Sequence, residues 1–145
     1  DQDFSLLCRT LSQVAKYAKV SDSNFRILRA KSPGPFTFLL PASASLPPRL
    51  FHPKRKVVGI RIPQNNIVIA LLTALDEPLM SLTVAIQNDP YGVSDPDEIR
   101  QRFENVVDGI IHGGYCGVEP TSVVDLTGGV PQLVRAGLGD LDSIL

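Results

Sequence analysis

The feature that most constrains this sequence is a regular alternation of short β-branched or aromatic runs with helix-like segments, separated by prolines and glycines. The run at 36–40 is typical of a strand, because such side chains pack well on a pleated surface. Alternating strands and helices favour a sheet with helices packed on it. Strands are predicted at 4–8, 36–40, 57–63, 78–83, 108–112, 122–126 and 131–135.

Polar residues mark where the first two helices begin. Thr10 and Gln13 form a capping box, in which the hydroxyl accepts from the third amide and the Gln side chain reaches back. A second helix is predicted to start within 21–23. It must end before Pro33, because proline and the residue before it do not fit a helix interior.

Two later helices have signals of their own. Asn65 or Asn66 can cap a helix over 67–75, which is apolar on nearly all sides and is therefore expected to be buried. Asp95 is a strong N-cap, because Pro96 takes the first helical position and acids follow near the positive end of the helix dipole.

The last two predicted strands are joined through Gly128-Gly129, which indicates an antiparallel hairpin. Such a hairpin favours a mixed sheet over a purely parallel one. The predicted fold class is α/β, with a twisted, mixed, open sheet and helices packed around it. No internal repeat or linker is evident, so a single domain over 1–145 is expected.

Composition limits the possible functions. The 145 residues carry a formal net charge of −1, so affinity for an anion requires a local patch. Cys8 and Cys116 are too few for a disulfide framework or a zinc cluster, and buried free thiols are expected. No apolar run approaches the ~20 residues of a membrane helix, and the first residues have no signal-peptide pattern. These features predict a cytoplasmic protein.

Common catalytic motifs are absent from the sequence. It contains neither the G-x-x-x-x-G-K-[ST] phosphate loop nor the G-x-S-x-G nucleophile elbow. His52 and His112 are not spaced as a metal-ligand pair. No catalytic residue and no metal ligand are therefore assigned.

What remains is a set of hydroxyl and guanidinium groups near predicted strand ends. Arginine offers a planar fork of donors that suits phosphate, and ligands of open α/β sheets bind at strand ends. The alternative is that the hydroxyls close turns and the arginines stay solvated. The candidate nucleotide- and substrate-binding residues are Arg61, Ser81, Thr83, Thr121, Ser122 and Arg135.

A basic, proline-rich segment precedes the third predicted strand. Phe51 and His52 interleave with its cations, as in segments that follow a nucleic-acid backbone. The alternative is a solvated basic loop. The candidate RNA-binding residues are Arg49, Lys54, Arg55 and Lys56.

Several segments, in this order, resemble the YrdC-like family and in particular its YciO branch. The segments are Ser32-Pro33-Gly34-Pro35-Phe36-Thr37, Lys54-Arg55-Lys56 with Gly59-Ile60-Arg61-Ile62-Pro63, Pro78-Leu79-Met80-Ser81-Leu82-Thr83, Asp95-Pro96-Asp97-Glu98-Ile99, Ile111-His112-Gly113-Gly114-Tyr115, Thr121-Ser122-Val123-Val124-Asp125-Leu126 and Val134-Arg135-Ala136-Gly137-Leu138-Gly139-Asp140. Each motif is modest, but their shared order covers nearly the whole chain.

The resemblance implies a chemistry and a set of partners. Members of the family make threonylcarbamoyl-adenylate from L-threonine, bicarbonate and ATP with Mg²⁺, for the threonylcarbamoyladenosine modification of tRNA. Others are described as binding double-stranded RNA. By position, Arg61 would face the anionic substrates, Ser81 and Thr83 the nucleotide and amino acid, Thr121 and Ser122 the phosphates, and Arg135 the nucleotide.

Two departures from the family pattern bear on activity. The pattern normally begins upstream of Asp1, with a Thr-x-Tyr-Gly-Leu-like turn and a Lys-x-Arg motif. Its Ser-Ala-Asn is replaced here by Thr83-Val84-Ala85. A catalytically weak or inactive chain is therefore expected in isolation. The rival hypotheses are a non-catalytic module that binds tRNA or double-stranded RNA, and a scaffold without a ligand.

Overall fold

The computed structural model describes residues 4–84, 93–117 and 119–145. They form two compact units, one of Asp1–Leu82 with Thr121–Leu145 and one of Thr83–Pro120. The first contains β1 (Ser5–Leu7), α1 (Leu11–Tyr17), α2 (Asp22–Lys31), β2 (Phe36–Pro41), a 3₁₀ turn (Pro48–Leu50), β3 (Val57–Arg61), α3 (Asn66–Leu75), β4 (Leu79–Ser81), β5 (Ser122–Asp125) and β6 (Gln132–Arg135). The second contains α4 (Pro96–Phe103). The single-domain interpretation of 1–145 stays a prediction.

Within the described residues, six strands form one sheet in the order β4-β1-β3-β2-β5-β6. The pairs β1–β3 and β2–β5 are parallel, while β1–β4, β2–β3 and β5–β6 are antiparallel. The sheet is therefore mixed and open, and the predicted α/β fold class is confirmed. The predicted hairpin is confirmed as well, since β5 and β6 pair directly through the glycine turn.

One face of the sheet carries the hydrophobic core. Leu6, Ile60, Phe38 and Val124 lie side by side in register across four strands, and each is almost fully buried. They belong to a single buried cluster that also includes one residue from each of the first two helices, Val14 and Leu28. We call this the core face.

The opposite face carries the next residue along each strand, because successive side chains of a strand point to opposite sides. Leu7 pairs with Arg61, and Val123 pairs with both Thr37 and Arg135. Thr37 and Arg61 follow in register after the pair Phe38–Ile60. We call this side, with its polar residues, the site face.

The helix starts agree with the capping signals. Thr10, Ser21, Asn65 and Asp95 are the N-caps, and each accepts from an amide of its first turn. One detail differs from a capping box, because the Gln13 side chain accepts from the amide of Arg9 at 2.8 Å.

Two expectations about secondary structure and helix burial are wrong, and one predicted strand is shorter in the structure. Helix α3 is not buried all round, since Leu72 is its one fully buried residue and Ile67 and Leu75 are more than 40% exposed. Residues 108–112 form no strand, because no described segment pairs with them and their side chains are exposed. The predicted strand at 78–83 is shortened to Leu79–Ser81.

Both cysteines are free, as expected, but only one is buried. Burial raises the pKa of the Cys8 thiol to about 12, so this side chain stays a neutral part of the core. Cys116 is exposed. Among the described helices, none has the length and apolar character needed to cross a membrane.

Candidate functional site

Arg61 ends β3 on the site face, with one donor left without a partner. Its Nε is buried and makes no hydrogen bond within the described part of the chain. Burial lowers the pKa of the guanidinium, and the like charge of Arg135 lowers it further. A buried donor with no acceptor, held beside a second cation, is costly unless an anion supplies the missing interactions.

Arg135 ends β6 and is fixed by three hydrogen bonds to one residue. Its Nε and one terminal nitrogen donate to the carbonyl of Thr121 at 3.1 and 2.9 Å. The same terminal nitrogen donates to Thr121 Oγ1 at 3.2 Å. The guanidinium is thus held in one orientation before any ligand is present, and its remaining nitrogen is not used by these bonds.

Thr37 and Thr121 lie beside the arginines and share a hydrogen bond between their hydroxyls. Their Oγ1 atoms lie 2.8 Å apart, and either can be the donor. Thr37 is almost fully buried, whereas Thr121 is half-buried. Thr121 Oγ1 also accepts from Arg135. The Thr121 hydroxyl proton is therefore free for a ligand only when Thr37 is the donor in the bond between the two hydroxyls. We call Thr37, Arg61, Thr121 and Arg135 the strand-end cluster.

Gly59 forms the floor of the site face next to this cluster. A Cβ added there would lie 3.3 Å from Ser5 Oγ and 3.4 Å from Thr37 Cγ2. Side chains from both neighbouring strands therefore converge above this glycine, and an added Cβ would press on the Ser5 hydroxyl and contact Thr37. Thr37 was not among the predicted site residues, since it lies within an apolar strand run and only sheet register brings it to the site.

Ser81 and Thr83, which were expected to share a strand face, differ in placement. Ser81 pairs with Ser5, and Ser5 pairs with Gly59. Ser81 therefore lies on the site face in the row of Gly59, which precedes Arg61 by two residues on β3. Its hydroxyl donates to the carbonyl of Ser5 at 3.1 Å. Thr83 lies beyond the end of β4, is exposed, and belongs to the second unit.

Ser122 points away from the strand-end cluster. It begins β5 opposite Phe36, is fully buried, and shares the core side of the strand with Val124. Its Oγ donates to the carbonyl of Gly139 at 2.8 Å and accepts from the amide of Gly137 at 3.0 Å. The structure brings Thr121, but not the hydroxyl of Ser122, to the arginines, because adjacent strand residues face opposite sides.

The basic segment lies at the other end of β3. Arg49, Lys54, Arg55 and Lys56 are exposed and precede Val57, whereas Arg61 ends the strand. Four residue steps of strand separate these ends by ~13 Å. His52 organises the turn, because its Nδ1 accepts from the amides of Lys54 and Arg55, each at 3.3 Å. The two candidate regions are therefore distinct surfaces.

The sheet order and the strand-end cluster define an open, mixed α/β domain. Its basic and hydroxyl groups lie where several strands end, on one side of the sheet. The chain belongs to the Sua5/YciO/YrdC family, whose model, described as "Telomere recombination", matches residues 1–137. The predicted family membership is thereby confirmed.

Individual relatives agree with this assignment. The uncharacterized protein YciO of Escherichia coli strain K12 is 44% identical over 143 residues, which cover 99% of this chain and 69% of YciO. An uncharacterized Haemophilus influenzae protein is 46% identical over 138 residues, covering 94% of this chain and 67% of that protein.

Solved structures show the same fold. The crystal structure of E. coli YciO superposes with a TM-score of 0.94, covering 99% of this chain and 69% of YciO. The structure of P. abyssi Sua5 complexed with L-threonine superposes with a TM-score of 0.82 at 22% identity, covering 94% of this chain and 40% of Sua5. At that identity, the likeness to Sua5 shows the fold alone.

Replacing Arg61 with Met tests whether the guanidinium is strained in the free protein. Arg61→Met removes a charge and an unpartnered buried donor but keeps a long apolar stem. We expect the free energy of unfolding, measured with urea, to rise by about 1 kcal/mol. Arg26→Met on the exposed side of α2 is the control, with a change within about 0.5 kcal/mol. A loss of stability in Arg61→Met larger than the control would contradict the interpretation.

Proposed function

We propose that this chain is a relative of L-threonylcarbamoyladenylate synthase and that its strand-end cluster binds the phosphate groups of ATP. The observation that carries the proposal is the buried Nε of Arg61, which has no hydrogen-bond partner among the described residues and lies within the field of Arg135. An arrangement of this kind becomes favourable when an anion binds between the two cations.

The donors of the strand-end cluster suit a phosphate group. Guanidinium nitrogens form charge-assisted, bidentate hydrogen bonds with phosphate oxygens, and a hydroxyl can add a third. Arg135 is held on the carbonyl of Thr121, so little side-chain freedom is lost when a ligand binds. A carboxylate would satisfy the same donors, which is relevant because one proposed substrate is an amino acid.

The family relationship supports the choice of substrates. P. abyssi Sua5 shares the fold and was solved in complex with L-threonine. From the family resemblance we assign L-threonine, bicarbonate and ATP as the substrates of this chain, and threonylcarbamoyl-AMP with pyrophosphate as the products. The product would serve the threonylcarbamoyladenosine modification of tRNA.

The proposed reaction requires no nucleophile from the protein. L-Threonine and bicarbonate would condense to N-carboxythreonine with loss of water. A carbamate oxygen of this species attacks the α-phosphorus of ATP, the bond from that phosphorus to the β-phosphate oxygen breaks, and pyrophosphate leaves. Arg61 and Arg135 would stabilise charge on the phosphate oxygens, while Thr121 would orient one of them. By the family resemblance, Mg²⁺ would be bound together with ATP and would neutralise part of the phosphate charge.

Binding of ATP tests the proposal. We expect the chain to bind ATP with Mg²⁺ in isothermal titration calorimetry. Arg61→Met and Arg135→Met should each raise the Kd at least about tenfold, because each removes charge-assisted hydrogen bonds. Arg26→Met should leave the Kd within about twofold. Equal affinities for all four proteins would rule out the strand-end cluster as the phosphate site.

Catalysis by these 145 residues is expected to be weak. The Thr83-Val84-Ala85 segment lacks the amide side chain that the family pattern has there. Pyrophosphate release from ATP, L-threonine and bicarbonate should therefore stay within about tenfold of a reaction without protein, a small fraction of the acceleration expected of an enzyme. Robust turnover that depends on L-threonine would contradict this expectation.

A second candidate function is binding of tRNA or double-stranded RNA by the basic segment. Three consecutive cations, Lys54 to Lys56, are exposed on a turn that His52 holds in shape. Lys56 adopts a left-handed backbone conformation, with φ of 52°, which closes the turn. A fixed cluster of cations can contact successive phosphates of a nucleic-acid backbone.

The dependence of RNA affinity on salt tests the second function. If two to three phosphates are contacted, log K should fall against log salt with a slope of about −2. The double variant Lys54→Gln, Lys56→Gln should flatten this slope, whereas Arg26→Gln on α2 should not. A flat response in the unmodified chain would exclude phosphate contacts by this surface.

A further inference from the structure

We propose that Ser122 is a positioning residue for Arg135, acting from the core face of the sheet. It would hold the chain segment that follows β6 and thereby fix where the guanidinium of Arg135 lies on the site face. The effect on ligand affinity rests on the proposed function, but the effect on the Arg135 side chain does not.

The hydrogen bonds of Ser122 close onto the segment after Arg135. Its single proton goes to the carbonyl of Gly139, and its oxygen accepts from the amide of Gly137. Gly137 lies two residues after Arg135, and Gly139 lies four residues after it. The hydroxyl and Gly139 are both buried, so water cannot replace the bond to the Gly139 carbonyl if the side chain is removed.

The same segment is anchored at two further places. Gly139 packs so closely on Phe36 that an added Cβ would lie 2.6 Å from the ring. Ile144 is buried in the core cluster, and Leu141 packs against that cluster. The direction in which the chain leaves β6 is therefore set by contacts on the core face.

Strand β6 has little else to fix its register. Among the described strands it lies at the edge of the sheet and pairs with β5 alone, and all four of its residues are exposed. A register shift lies between the pairs Val124–Leu133 and Val123–Arg135, so Val134 is an extra residue in the ladder. This bulge places Arg135 in the row of Val123, on the site face, where its guanidinium reaches Thr121.

A bulge on a solvent-exposed edge strand can relax by slipping one residue, which would turn Arg135 to the other face. The anchor at Ser122 opposes that slip, because moving Gly137 by one residue would leave a buried hydroxyl, an amide and a carbonyl without partners. Ser122 thus acts on the strand-end cluster without touching a ligand.

The direct test follows the Nε–H of Arg135 by nuclear magnetic resonance, with Arg135→Lys used to assign the signal. In the unmodified chain this proton is hydrogen-bonded to the Thr121 carbonyl and should exchange slowly with water. Ser122→Ala should raise its exchange rate at least about tenfold, because the guanidinium loses its fixed position.

The matched control is Asn24→Ala. It also removes a side-chain hydrogen bond to the backbone near β5, since Asn24 Nδ2 donates to the carbonyl of Leu126 at 3.0 Å, beyond the opposite end of the strand. In Asn24→Ala, the exchange rate of the Arg135 Nε–H should match the rate in the unmodified chain. Ile144→Ala releases the same C-terminal segment without exposing a polar group, and should raise the rate even if Ser122→Ala fails to fold.

Affinity for inorganic pyrophosphate gives the second readout. Ser122→Ala should weaken binding about tenfold and Asn24→Ala less than twofold. If the unmodified chain binds no pyrophosphate, the proposed function fails, while the exchange rates still decide the role of Ser122. Unchanged Arg135 exchange in a folded Ser122→Ala would overturn the inference; if that variant does not fold, unchanged exchange in Ile144→Ala would overturn it.

Discussion

At the end of β3, the guanidinium of Arg61 is partly withdrawn from water, with one donor unsatisfied and a second cation nearby. The sheet tolerates this arrangement because the neighbouring groups are fixed by bonds that do not involve Arg61. Arg135 is held by Thr121, and Thr121 is joined to Thr37. The Nε–H of Arg61, which has no acceptor in the described part of the chain, is therefore held beside fixed neighbours and is preorganised for an external anion. The proposed function depends on that property.

The two faces of the sheet have different roles. The core face supplies stability through the buried row of Leu6, Ile60, Phe38 and Val124. The site face can then carry polar groups that contribute little to folding. Ser122 links the two, since its side chain belongs to the core face while its backbone continues from Thr121 in the strand-end cluster. A core residue can in this way determine the geometry of a binding residue.

Much of the fold was readable from local sequence signals. Strand runs, N-caps and the glycine hairpin depend on nearby residues, and the structure has them where the sequence predicts them. The strand expected at 108–112 failed because a strand needs a partner, which local pattern does not supply. The burial of α3 was overestimated for a related reason, since apolar composition does not provide a surface to cover it.

The candidate site was only partly predictable, because its residues meet through long-range pairing. The sequence pointed to Arg61, Thr121 and Arg135, and the structure places them at one end of the sheet. Thr37 was missed because its place follows from the register of β2 with β3 and β5. Ser122 was assigned to the ligand, although strand alternation alone indicates that it faces away from Thr121.

The proposed function requires the buried Nε–H of Arg61 to donate a hydrogen bond to a bound anion. The most direct measurement is the resonance of its Nε–H during a titration with inorganic pyrophosphate. We expect this resonance to shift downfield and its exchange with water to slow as pyrophosphate binds, because the proton gains an acceptor. Saturable binding that leaves the Arg61 resonance unchanged, while shifting signals of Lys54 or Lys56, would contradict this expectation.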